Sequence, residues 1–123
     1  MSFDPVTDAL ARIAARRGDS FAVVVDPTRE NLFAQFVAHD DEAGLYGELP
    51  GNDVLPKDER LTEGQQWALK AQGWAGDGDE NWHRTWPDAS TEAALQQIAL
   101  DALTALRDLY GARGDVQVQV ELM

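Results

Sequence analysis

The residues of this chain best suited to chemistry are its carboxylates and its two histidines, and their spacing decides what they can do. His39-Asp40-Asp41-Glu42 sets an imidazole beside three carboxylates, a composition that suits a divalent metal. Adjacent residues in a turn rarely converge on one ion, and no second cluster supplies the remaining donors, so the run reads as a solvated hairpin turn. Asp77, Asp79, Asn81 and Asp88 partly mimic a calcium loop. Such a loop needs glycine at its sixth position and a bidentate glutamate at its end, and Trp82 and Asp88 stand there instead. Ser2, Ser20 and Ser90 fall in terminal, turn and cap contexts without a nucleophile elbow, and no glycine-rich phosphate loop follows a strand. A small metal-dependent enzyme would rest on the acidic clusters alone. The expectation is a protein that is not an enzyme and holds no metal.

The bulk properties narrow the partners. A chain of 123 residues fits one domain, taken as residues 1–123. It has no cysteine, no apolar run near the ~20 residues that cross a bilayer, and no signal-like start at Met1-Ser2-Phe3-Asp4-Pro5, so a cytoplasmic protein is expected. The net charge is −12, and the only basic cluster, Arg12, Arg16 and Arg17, falls late in a predicted helix, where cations complement the helix dipole. Neither nucleic acid nor an anionic membrane is therefore an expected partner. Acidity favours a basic or apolar one.

These residues must be carried by predicted elements. Asp4-Pro5 opens a helix with Val6, Ala9, Leu10, Ile13 and Ala14 at helical spacing, closed by Gly18. Phe21–Val25, Leu32–Ala38 and Gly44–Leu49 read as three strands whose short polar connections suit antiparallel hairpins. In the first two strands both faces are apolar: Phe21, Val23 and Val25 oppose Ala22 and Val24, and Phe33 and Val37 oppose Leu32, Ala34 and Phe36. A sheet with one wet face alternates with polar residues, so either helices cover both faces here or one face meets another chain. Thr62-Glu63-Gly64-Gln65 has capping-box spacing and starts a second helix with Trp67, Ala68 and Ala71 on a common side. Asn81–Trp86 suits a brief strand. A long helix capped by Ser90 runs to Tyr110 with a broad apolar stripe, and Val116, Val118, Val120 and Leu122 then alternate with Gln117, Gln119 and Glu121 as a final strand paired to the sheet. The four tryptophans, Trp67, Trp74, Trp82 and Trp86, form either a satellite core under the glycine-rich segment or an aromatic anchor for a partner.

Several stretches carry a resemblance. Phe21-Ala22-Val23-Val24-Val25, Phe33-Ala34-Gln35-Phe36, Glu48 with Asn52 and Leu55, Leu69-Lys70-Ala71-Gln72-Gly73-Trp74, Asn81-Trp82 and Leu106-Arg107-Asp108-Leu109-Tyr110-Gly111 resemble the TY-Chap family. These are the peptide-binding chaperone-like domains related to type III secretion chaperones and YbjN. Gln72 and Ala75-Gly76-Asp77-Gly78 depart from the pattern. The resemblance implies an α+β fold, an antiparallel sheet with flanking helices in the order α-β-β-β-α-β-α-β. It further implies a non-enzymatic module that binds a polypeptide or protein, often as a homodimer, with no cofactor. The alternative is a structural or regulatory homodimerisation domain without a client. The candidate partner-binding residues are Phe33, Gln35, Val37 and Tyr46 on a sheet face, or Trp74 and Trp82 in the tryptophan segment.

Overall fold

A computed structural model of the chain describes residues 5–29, 31–112 and 115–123, so the expected roles of Ser2 and Asp4 lie outside the described residues. Helix α1 (Pro5–Arg16) precedes a meander of β1 (Ser20–Val25), β2 (Phe33–Ala38) and β3 (Leu45–Leu49). A 3-10 turn at Lys57–Glu59, helix α2 (Glu63–Ala71), strand β4 (Trp82–Trp86), helix α3 (Glu92–Asp108) and strand β5 (Gln117–Glu121) follow. The five strands make one antiparallel sheet in the order β4-β3-β2-β1-β5. The α+β class and the order of elements are as expected from sequence.

One core lies on one side of the sheet. Period-two alternation sends Ala22, Val24, Ala34, Phe36, Leu45, Leu49, Trp82 and Trp86 to that side, and all are buried. Helix α1 contributes Val6, Leu10 and Ile13, and α3 contributes Ile98, Ala102 and Leu106. Gly47 permits this packing: a Cβ there would sit 2.7 Å from the Trp86 ring. Trp86 instead lies over the sheet with its centroid 6.0 Å from Phe36 and edge-on to Trp74 at 5.5 Å. The tryptophans are thus part of the main core rather than a satellite, except Trp67.

Helix α2 departs from its expected seating. Its capping box forms, with Thr62 Oγ1 accepting from Gln65 N at 3.2 Å and Gln65 Oε1 accepting from Thr62 N at 2.8 Å. Only Leu69 is buried, while Trp67 is 64% exposed and Ala71 is also exposed. The turn at Gly73 brings Trp74 N back to Leu69 O at 3.0 Å, and Trp74 is buried, while the side of α2 shared by Trp67, Ala68 and Ala71 faces outward. Trp67 is left against Lys70, whose Nζ lies 5.3 Å from its ring centroid.

Two ends also differ from expectation. Thr91, not Ser90, caps α3 by accepting from Ala94 N at 3.1 Å, because Ser90 is already engaged by the Asp88 carboxylate at 2.9 Å (N) and 2.6 Å (Oγ). Arg17 is no helix-dipole partner. It lies beyond α1 at φ 54°, within a left-handed run that includes Gly18 and Asp19. Its guanidinium donates to His39 O at 3.1 Å, to Gly44 O at 3.0 Å and to Ala43 O, clamping the β2–β3 turn against the α1–β1 turn. Strand β5 pairs to the sheet as expected; its partner is β1, and it is an outermost strand.

Candidate partner-binding face

The same alternation that builds the core sends the other residues of each strand to the opposite face. Phe21, Val23 and Val25 of β1 and Phe33, Gln35 and Val37 of β2 are half-buried there, with Tyr46 and Glu48 of β3. His83 and Thr85 of β4 and Gln117, Gln119 and Glu121 of β5 are exposed at its margins. The buried side chains of all three helices belong to the core on the other side, and none of these face residues does. Of the two readings that the sequence left open, the helices therefore do not cover both faces.

Register arranges the face into rows across the sheet. One row runs Thr85, Tyr46, Val37, Phe21, Glu121, and the next runs His83, Glu48, Gln35, Val23, Gln119. A third joins Phe33, Val25 and Gln117. The result is an apolar centre of Phe21, Val23, Val25, Phe33 and Val37, bounded by glutamines and Glu121 on one flank and by aromatic and polar groups on the other. Tyr46 sits between the two histidines, 6.1 Å from the His39 ring and stacked over His83 at 6.2 Å. Burial, and then the neighbouring Glu48 carboxylate, push its hydroxyl up to about 12, so it stays protonated as a donor. His39 Nδ1 meets Asp19 Oδ1 at 2.8 Å, and this bond raises the imidazole above its usual value.

Four of the six candidates, Phe33, Gln35, Val37 and Tyr46, lie together on this face. Trp74 and Trp82 do not: they are 2% and 0% exposed, in the core on the other side of the sheet. Their indole N–H groups have no protein acceptor among the described residues, a cost of about 1–3 kcal/mol each that apolar burial must offset. Phe21, Val23 and Val25, which alternation alone sets on one apolar face of β1, and Glu48 complete the surface. Cross-strand register is what joins them to the four candidates.

The acidic clusters serve the backbone. Asp77 Oδ1 accepts from Asp79 N at 3.0 Å and Glu80 N at 3.2 Å, and these bonds lower its pKa. Asp40 Oδ1 accepts from Gly18 N at 2.7 Å. Among the described residues no three His, Asp or Glu side chains gather so as to hold a metal ion, and no helix is long and apolar enough to cross a membrane.

A family model described as T3SS (YopN, CesT) and YbjN peptide-binding chaperone 3, TY-Chap3, matches residues 5–121. The chain belongs to the TY-Chap3 family. The match covers every element from α1 to β5, so the open face and the covered face of this TY-Chap3 domain both lie inside it. Searches of curated proteins and of solved structures gave no match.

Proposed function

We propose that this TY-Chap3 domain is a non-enzymatic module of the cytoplasm that binds a polypeptide client on the open face of its sheet. The observation that carries the reading is the apolar centre of Phe21, Val23, Val25, Phe33 and Val37, over which no helix lies among the described residues, while the opposite face is sealed by helices. Half-buried apolar rows of this kind mark interaction surfaces. Charge favours a client over a second copy in face-to-face docking. The chain carries −12, and among the described residues this face holds Glu48 and Glu121 but no lysine or arginine with which a second copy could offset them.

A random-peptide phage library selected on the wild-type protein tests the reading. The selected peptides should bind in fluorescence anisotropy and lose at least ~10-fold in affinity to Phe33→Asp, whose far-UV circular dichroism and melting remain near wild type. Peptides that bind both proteins equally would refute it. The homodimer that the resemblance implies should keep its mass by light scattering in Phe33→Asp. A dimer dissolved by that substitution would assign the face to self-association instead.

A further inference from the structure

Among the described residues the open face carries no lysine or arginine, and two carboxylates flank its apolar centre: Glu121, exposed, across from Phe21, and Glu48, half-buried, across from Gln35. Glu48 is half-buried, and none of the described ion pairs (Arg29 with Glu59, His39 with Asp19, Arg84 with Asp101) includes it. A partly desolvated carboxylate without a countercharge is costly unless something holds it. Asn81 and Tyr46 do so: Asn81 donates from Nδ2 to Glu48 Oε1 at 3.3 Å while its own Oδ1 accepts from Gly51 N at 3.1 Å, and the Tyr46 hydroxyl also bonds the Glu48 side chain. Gln35 and His83 stand directly across from Glu48 on the two neighbouring strands. The His83 ring, on the residue paired with Glu48, lies 6.2 Å from the Tyr46 ring and near-parallel to it, so two aromatic residues neighbour Glu48 in the sheet.

A carboxylate held in direction beside aromatic residues, in an acidic protein, matches the planar fork of a guanidinium, which pairs with one and stacks on the other. We propose that Glu48, with Tyr46 and His83, is a subsite for an arginine of the bound polypeptide, whose neighbouring residues are apolar and lie over Val23, Phe33 and Val37. This rests on the client-binding reading above and names the client's chemistry. A second copy docked face to face supplies no such cation from its own face.

Phage selections against wild type and Glu48→Gln test it. Wild-type winners should be enriched in arginine flanked by apolar residues, and the enrichment should vanish for Glu48→Gln. In a selected peptide, Arg→Gln should weaken binding to wild type roughly 10-fold and binding to Glu48→Gln less than about 2-fold, since the missing charge already has no partner. Glu48→Arg should in turn prefer the peptide bearing Arg→Glu. Winners without a basic residue, or an equal loss on both proteins, would overturn the subsite, and if those peptides still fail on Phe33→Asp the client-binding face itself stands. Lysine enriched as strongly as arginine would overturn the stacked-guanidinium geometry. No enrichment over the library at all would overturn both readings.

Discussion

Asp101→Ala should unfasten strand β4, which carries His83 on the open face, from helix α3. Asp101 Oδ2 accepts from Trp86 Nε1 at 3.0 Å and from Arg84 Nη2 at 3.2 Å, and Oδ1 accepts from Gln97 Nε2 at 2.8 Å. Arg84 also donates to Gln72 O at 2.6 Å and lies 5.0 Å from the Trp86 ring centroid, so it keeps two contacts after the substitution. Trp86 keeps none for its indole N–H, which is left buried and unpaired at about 1–3 kcal/mol. Loss of the partly screened Arg84 pair adds up to about 1 kcal/mol, and the exposed Gln97 contact adds nothing measurable. The expected cost is about 2–3 kcal/mol by urea unfolding with an unchanged m-value, or a fall in Tm of roughly 10 °C. Asp101→Asn should cost about half as much, because its amide oxygen still accepts from Trp86. In a Trp86→Phe background, which removes the donor, Asp101→Ala should cost about 1 kcal/mol less than in wild type. A cost below about 0.5 kcal/mol, or the same cost in both backgrounds, would refute the assignment of Asp101 as the acceptor that holds β4.

Four further outcomes concern other parts of the molecule. Gly44→Ala and Gly51→Ala would place Cβ atoms 1.6 Å from Trp86 O and 1.9 Å from Glu80 O, fixed backbone in both cases, and each should cost at least ~2 kcal/mol in urea unfolding. Gly64→Ala meets nothing nearer than 4.0 Å within α2 and should stabilise by up to ~1 kcal/mol in the same assay. His39, raised above 6.5 chiefly by its bond to Asp19, contributes stability fully present below pH 6.5 and lost as pH rises through its folded value. The pair is exposed, so the contribution is ~0.5 kcal/mol or less; an NMR titration should place His39 above 6.5, and Asp19→Asn should bring it down. Trp67, the exposed tryptophan, should account for the iodide-quenchable fluorescence, and Trp67→Phe should abolish that fraction while shifting Tm by less than ~2 °C.

What was readable in advance follows from where each signal resides. Helix α3 and strand β5 announce themselves because every residue of their stripes repeats at one period, and both formed as expected. The apolar residues on both sides of β1 and β2 pointed to a face in need of cover, and Phe33, Gln35, Val37 and Tyr46 are found on it together. Glu48 was recognisable only as part of a family pattern. Its position between Gln35 and His83 depends on pairing residues that are far apart in the chain. Arg17 departs from its expected place for a similar reason: three carbonyls of the β2–β3 turn take a side chain that local charge alone assigns to a helix end. The tryptophans could not be sorted by composition at all. Trp74 and Trp82 entered the core because the turn at Gly73 and the alternation of β4 aim them inward, while Trp67 falls on the outer side of α2.

The most direct measurement is a chemical-shift map, recorded on methyl- and amide-labelled protein as a phage-selected peptide is added. The Val23, Val25 and Val37 methyls and the amides of β1, β2 and β3 should move together. Leu100 on the exposed side of α3 and the Trp67 indole should stay unchanged. A footprint centred on α3 or on Trp67, with the open face unperturbed, would contradict client binding on that face.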